Sequence, residues 1–481
     1  MQYHSTRGQA PQVDSAQAVL NGLAPDGGLY LPKELPSFSW QECVQMPTLS
    51  MAEMILSAFL PDVPDMGTLV EKAYTGKFDT EQLTPTVDVG KFHVLELFHG
   101  PTSAFKDVAL SMLPQLMTAA KTVKGDEKDI LILTATSGDT GKAALEGFRD
   151  VAGIRICVFY PHGGVSEVQH RQMASQEGSN VTVCAVKGNF DDAQTGVKEI
   201  FNACQGKELP FRLSSANSIN IGRLVPQITY YFKAYQDLLK NGRIAMGDEV
   251  NFCVPTGNFG DILAGYLAKL LGLPVGKLIC ASNANNVLTD FLQTGLYDRR
   301  RPLHKTESPS MDILVSSNLE RLLYLLCGNT AMVAELMKQL QEQGYYQISK
   351  ELLHKLQAEF WAGWCDDKKG GKTIAAVWEN HHYLCDTHTA VAWAVAEDYV
   401  NQTKDERPMV VLSTASPYKF PAAVLSSLER TAQGDEFKQM EQLAEYTQVP
   451  IPKNLANLWQ KPVLHTQVIE KEEMPNFVLA L

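Results

Sequence analysis

Phe98-His99-Gly100-Pro101-Thr102-Ser103-Ala104-Phe105-Lys106-Asp107 places one lysine just after a Gly-Pro turn, at the head of an apolar helical run formed with Val108, Ala109 and Met112. Lysines ordinarily decorate solvated helix faces, whereas small and aromatic residues flank this one. Burial and the positive end of a helix both disfavour an ammonium, so a lysine held there is more readily the free amine. A free amine can attack a carbonyl and form a Schiff base. The plainer alternative is a lysine whose stem covers apolar surface while its head reaches water. Two further segments decide between these readings.

Thr134-Ala135-Thr136-Ser137-Gly138-Asp139-Thr140-Gly141 and Pro255-Thr256-Gly257-Asn258-Phe259-Gly260-Asp261 each follow a β-like apolar run and open a helical pattern. A glycine- and hydroxyl-rich turn leading from a strand into a helix N-terminus suits an anion. The first loop is not a nucleotide P-loop, because Thr136 and Ala143 stand where that pattern needs glycine and Ser or Thr. Taken singly it would serve equally well as a helix cap. The second lacks the three spaced glycines of a dinucleotide fingerprint. With Lys106 the loops make a three-part set: a reactive amine, a loop for a carboxylate and a loop for a phosphate.

Outward from these, strands alternate with helices. Strands are expected at 91–98, 129–135, 154–160, 181–186, 249–254, 277–281 and 410–413. Helices are expected at 103–121 (kinked at Pro114), 140–150, 166–176, 190–203, 219–240 and 261–271. Such alternation implies βαβ units and parallel sheets, hence an α/β fold. Residues before 90 are turn-rich, with a tight turn at Gly27-Gly28 and a clear helix over 51–60. Between about 284 and 380 the strand signal fades. Helices are expected there at 319–326, 331–343 and 350–361, with a charged loop at 366–372, as a helical elaboration of the surface.

The 481 residues suffice for about three domains. A formal charge of −12 argues against nucleic acid or an anionic membrane as partner, though a local basic pocket can still hold an anionic substrate. Nine cysteines without a C-x-x-C pair, no basic-then-apolar leader and no membrane-length apolar run point to a soluble, cytoplasmic protein. His381, His382, Cys385 and His388 have spacings a zinc ion could use, but no second cluster accompanies them, and no metal is expected.

Taken in order, Tyr3-His4-Ser5-Thr6-Arg7-Gly8, Gly22-Leu23-Ala24-Pro25-Asp26-Gly27-Gly28-Leu29-Tyr30, the Lys106 stretch, both loops and Ser413-Thr414-Ala415-Ser416-Pro417 resemble the threonine synthases nearly end to end. Those are pyridoxal-phosphate enzymes of fold type II, in the tryptophan-synthase-β-like group. The resemblance implies two parallel-sheet α/β domains flanking the cofactor, plus an N-terminal domain. The division would be 1–90, then 91–240 with the lysine and carboxylate loop, then 241–481 with the phosphate loop and the insertion. It implies conversion of O-phospho-L-homoserine and water to L-threonine and phosphate, by γ-elimination and β-hydration. Alternatives are a related phospho-lyase releasing 2-oxobutyrate, or a catalytically silent scaffold of the same fold. Lys106 would carry pyridoxal 5′-phosphate and shuttle protons. Gly257, Asn258, Phe259, Gly260 and Asp261 would hold its phosphate, and Thr414 would face its pyridine nitrogen. Asp139 would lie near its 3′-oxygen, where relatives often carry asparagine. Ser137, Gly138 and Thr140 would hold the substrate carboxylate, and Asn217, Ser218 and Arg223 its phosphate. Ser103 departs from the family's bulkier apolar residue, which implies a roomier pocket wall. Thr387 stands at a usual proline, beside His388, whose role is open. The oligomeric state is not implied.

Overall fold

β-branched and apolar runs closed by Gly, Ser, Thr or Pro form two mainly parallel sheets in the computed structural model, which describes residues 1–136, 138–204 and 207–481, without the side chains of residues 191 and 202. The smaller sheet runs Val468–Ile469, Val181–Val186, Ile154–Pro161, Asp129–Ala135, Phe211–Ser214, every neighbouring pair parallel. The larger runs Phe360–Trp364, Val275–Ser282, Val250–Pro255, Met409–Ser413, Phe92–Glu96, Thr86–Val89, parallel except for the antiparallel last pair. Their central strands are buried residue after residue, as parallel strands covered on both faces must be.

Sheet membership does not follow chain order. Phe92–Glu96 pairs with Met409–Ser413 in the larger sheet, and the helix it leads into, Lys106–Lys124, packs on the helices Asp139–Phe148 and Ile221–Lys240. The tail crosses back, since Val468–Ile469 is an edge of the smaller sheet. Residues 97–105 are therefore a bridge from one sheet to the layer of the other.

Helix Ile221–Lys240 is buried along almost its whole length, and its sides pack on Thr48–Phe59, Lys106–Lys124 and Gly260–Leu270. Burial forces its polar groups to find partners. Lys233 pairs with Asp237, Asp237 accepts the Thr86 N–H at 3.1 Å, and Gln236 donates to the Val44 and Met46 carbonyls at 2.7 Å. At the N-terminus, Val13–Asp14, Gln2–Ser5 and Tyr30–Pro32 form an antiparallel sheet. Gly27 takes φ +77°, the expected tight turn, and a Cβ on Gly28 would lie 2.1 Å from Ser5 Oγ. Arg7 clamps Glu320 with two bonds of 2.9 Å, and Thr6 adds a third at 2.6 Å, tying this unit to helix Leu319–Cys327.

The stretch 284–380 differs from its reading. The helix expected over 350–361 stops at Glu359, and Phe360–Trp364 becomes an edge strand of the larger sheet. Its aromatic residues suit a pleated, half-buried surface, but five residues give too short a signal beside a strong helical pattern. The charged loop expected at 366–372 is instead the start of helix Asp367–His381, capped by Asp366 accepting the Lys369 N–H at 2.7 Å.

Candidate active site

Strands Asp129–Ala135, Val250–Pro255 and Met409–Ser413 deliver their C-terminal ends, and the loops after them, to one region, where open α/β sheets bind ligands. Lys106 enters it as the first residue of its helix. The turn before it is fixed by Asp107, which accepts the Thr102 N–H at 2.8 Å and the Thr102 hydroxyl at 2.5 Å. Phe105 N–H donates to the Thr414 carbonyl at 2.9 Å, and Ser416 N–H to the Ser103 carbonyl at 3.1 Å. These bonds splice the bridge 97–105 onto the end of the central strand. Ser103 takes φ +59°, is 1% exposed and donates its hydroxyl to Asn454 at 3.0 Å. Where a roomier pocket wall was expected, this side chain is bonded to the C-terminal tail.

Lys106 is buried, its Nζ 3.7 Å from Asp139 Oδ2, 3.5 Å from Ser310 Oγ and 4.8 Å from the centre of the Phe105 ring. Burial lowers its pKa; Asp139 opposes, and Lys419 and Arg223 reinforce the lowering. Asp139 opens helix Asp139–Phe148 after Gly138, which takes φ +145°. Its Oδ1 lies 2.5 Å from Lys419 Nζ and accepts from Gln169 Nε2 at 3.0 Å. Burial alone would push this carboxyl up; the ammonium groups of Lys419 and Lys106 outweigh it and hold it below the usual range. Lys419 has no exposed surface and also donates to the Thr102 carbonyl at 3.1 Å. Sequence reading missed it, although a lysine between Tyr418 and Phe420, inside an apolar run, was a usable signal.

Of the carboxylate loop, Ser137 lies outside the described residues. Gly138 N–H is turned inward to Thr136 Oγ1 at 3.0 Å, and Thr140 is half-buried.

Phe259 takes the left-handed conformation, φ +63°, and the loop it closes presents the N-terminus of helix Gly260–Leu270. A strap from the 284–380 stretch lies against this loop. Ser316 Oγ donates to the Gly257 carbonyl at 2.8 Å, and Asn318 donates twice to the Asn258 carbonyl at 3.1 Å, through its N–H and its amide. Ser310 carbonyl would stand 2.7 Å from a Cβ on Gly257, so only glycine fits beneath the strap. Asp261 is held by Tyr230 at 2.5 Å and Tyr231 at 3.1 Å, with Oδ2 buried and unpartnered. Burial pushes its pKa up to about 6.

Arg223 lies in the first turn of its helix, 3% exposed. One N–H group goes to the Ala216 carbonyl, while Nε is buried without a partner. Burial lowers its pKa to about 10. Asn217 is half-buried, its N–H on Ser215 Oγ at 3.2 Å, and Ser218 gives its carbonyl to Asn318 at 3.2 Å. Thr414 stands at the strand end, 5% exposed. His388 is buried, its Nδ1 2.7 Å from Asp386 and its Nε2 accepting the Ser310 N–H at 3.2 Å. It thus reaches the strap that meets Lys106. His381 lies under Gly90 at the C-terminal end of helix Asp367–His381, a different helix from that of His388, and among the described residues no group of three His, Cys, Asp or Glu is placed to hold a metal ion.

These residues fit pyridoxal phosphate. Among the described residues none accepts the backbone N–H groups of Gly257, Asn258, Phe259 or Gly260, leaving four donors at a helix start for a phosphate. A buried amine stands nearby, and the free Nε of Arg223 awaits a second anion. Comparison with known proteins agrees. Residues 2–74 match the family described as "Threonine synthase N terminus", 75–346 "Pyridoxal-phosphate dependent enzyme" and 389–474 "Threonine synthase, C-terminal". "Threonine synthase-like 1" of Homo sapiens is 40% identical over 457 residues; the match covers 90% of this chain but 61% of that relative's length. Threonine synthase of Pseudomonas aeruginosa is 42% identical over 432 residues, covering 88% of this chain and 90% of the relative. The crystal structure of pyridoxal-phosphate-bound threonine synthase from Brucella melitensis superposes with a TM-score of 0.88 at 39% identity, covering 100% of this chain and 99% of that one. A buried amine at the meeting of two parallel sheets, a cradle of free N–H groups beside it and these matches along the chain lead to one conclusion: the chain belongs to the threonine synthase family of pyridoxal-phosphate-dependent enzymes.

Proposed function

We propose that the protein is a threonine synthase, converting O-phospho-L-homoserine and water to L-threonine and phosphate. The observation that carries this reading is the buried Lys106 amine set among two separate unsatisfied anion sites, the Gly257–Gly260 N–H groups and the Arg223 guanidinium. One suits a cofactor phosphate and the other a substrate phosphate. Bound pyridoxal phosphate supplies the electron sink for bond cleavage next to the amino-bearing carbon. In this reading Lys106 holds that cofactor and then moves protons at Cα and Cβ of the substrate, for which a lowered pKa fits it. Arg223, with Asn217 and Ser218, binds the phosphate that departs from Cγ, and a guanidinium fork matches that dianion. Thr140 and Gly138 lie by the substrate carboxylate, with Ser137 beside them in sequence. Thr414 offers the pyridine nitrogen a neutral partner, which limits electron withdrawal into the ring and restricts side reactions. Asp261, held by Tyr230 and Tyr231, completes the phosphate cradle at the start of the helix that presents it. Nine free cysteines, most of them buried, support a reducing compartment such as the cytoplasm; no helix is long and apolar enough to cross a membrane among the described residues.

The test is incubation of purified protein, pyridoxal phosphate and O-phosphohomoserine, followed by assays for phosphate, threonine and 2-oxobutyrate. Equal phosphate and threonine is the expected result. Phosphate with 2-oxobutyrate would mean that water is not directed to Cβ, and no phosphate at all would leave a silent scaffold.

A further inference from the structure

We propose that Lys419 is a positioning residue that keeps the Lys106 amine available as the free base by occupying Asp139. Among the described residues Asp139 is the sole carboxylate within ion-pair distance of Lys106. Left alone, that carboxylate would draw in a proton on Lys106 and hold it as ammonium, which cannot attack a carbonyl. Lys419 and Gln169 instead take Asp139 Oδ1, at 2.5 and 3.0 Å, and Oδ2 is left 3.7 Å from Lys106, beyond hydrogen-bond reach. Lys419 is itself fixed by its bond to the Thr102 carbonyl, in the turn that carries Lys106. Its charge therefore does two things at once: it neutralises the anion beside Lys106 and adds a buried cation to the same wall.

The other carboxylates near Lys106 are held by neighbouring donors. Asp107 is taken up by Thr102 and the Ala104 N–H, Asp261 by Tyr230 and Tyr231, and Arg223 adds a further positive charge. His388 reaches Lys106 only through Ser310, with Asp386 behind it. A cation beside a lysine is an established way of lowering its affinity for a proton. The lowered pKa of Lys106, with Lys419 among its causes, agrees with this arrangement.

The proposal rests on Lys106 being the reactive amine. The test is competitive acetylation of the full-length protein freed of cofactor, with Lys106 read by peptide mass. A charge at this distance typically shifts a pKa by about 1–3 units, so Lys419→Met should slow Lys106 labelling near neutral pH by about tenfold or more. Lys419→Arg should label like the parent, and Lys419→Met with Asp139→Asn should recover the parent rate. A folded Lys419→Met that labels at the parent rate overturns the proposal. So does a double variant that stays slow, because Lys419 would then be a structural tie. Should Lys419→Met not fold, Asp139→Asn alone decides: it should label faster than the parent, and an unchanged rate refutes the coupling. Labelling reads the amine whether or not it takes the cofactor, so a misassigned cofactor lysine would show separately, as borohydride-fixed mass on another peptide.

Discussion

At Arg223 the guanidinium gives one N–H group to the Ala216 carbonyl and keeps Nε buried and unsatisfied, an arrangement that costs free energy until an anion arrives. Charge-assisted hydrogen bonds contribute about 1.5–3 kcal/mol each, so Arg223→Leu should lower kcat/KM for O-phosphohomoserine by roughly tenfold to over a hundredfold. Cofactor affinity should barely change, and Arg223→Lys should recover only part of the loss. If Arg223→Leu instead shed pyridoxal phosphate, the residue would belong to the cofactor's phosphate. Lys106 is checked by borohydride reduction, which should fix pyridoxyl mass on its peptide alone; Lys106→Ala should show no turnover. Asp261 gives a pH test. Its folded pKa of about 6 lies above the unfolded value of 3.8, so the folded state holds more protons between these values. The stability it contributes is complete in acid and is lost as pH rises through about 6. Asp261→Asn, whose amide oxygen still accepts from Tyr230, should therefore gain on the parent by roughly 1–3 kcal/mol between pH 5 and 7.5, read by urea unfolding without cofactor. Lys106 and Arg223 were legible because each opens a helical pattern next to turn residues. Lys419 showed only as a lysine inside an apolar run, and nothing in Ser416-Pro417-Tyr418-Lys419 says that its charge meets Asp139, far away in sequence.

Among the elements, the strap over the phosphate loop was the hardest to read. It lies in 284–380, where the pattern is helical or absent, and its contacts are single polar bonds without any period. Asn318 is its main fastening. Fully buried, it donates to the Ser218 and Asn258 carbonyls and accepts from Arg321 Nη1 at 2.5 Å. Arg321 is itself buried, its pKa lowered by burial to about 9, with its other donors on the Tyr30 and Ile219 carbonyls. Asn318→Ala strands one guanidinium donor and the Ser218 carbonyl, while its backbone N–H still reaches the Asn258 carbonyl, and should destabilise the protein by about 2–4 kcal/mol in chemical denaturation. It should also weaken pyridoxal phosphate binding, because the loop that presents the four N–H groups loses its backing. Unchanged cofactor affinity would mean that the loop holds its shape unaided. The strands and the two loops, by contrast, were plain in the sequence. A buried parallel strand must be apolar throughout, and an anion loop must break that run with Gly, Ser or Thr.

For the molecule as a whole, periodicity told which segments are strands but not which strands pair. Nothing local in Phe92–Glu96 distinguishes Met409–Ser413 from Asp129–Ala135 as its neighbour, and nothing in Val468–Ile469 names Val181–Val186. Binding of the cofactor to the folded chain also couples stability to it. A ligand at a thousand times its Kd stabilises by about 4 kcal/mol, so the unfolding midpoint should climb steadily with pyridoxal phosphate concentration in a thermal scan. A midpoint insensitive to the ligand would mean that the folded protein does not bind it. The bridge at 97–105 carries one more consequence, which belongs to the chain while it is still being made. On the ribosome, Phe92–Glu96 emerges early with Thr86–Val89 on one side, and its other edge stays bare until Met409–Ser413 has been synthesised. An open apolar edge is a template for the wrong strand, including one from a neighbouring nascent chain. Synthesis halted before Met409 should therefore yield insoluble product, recovered only when a chaperone shields that edge until translation is nearly done.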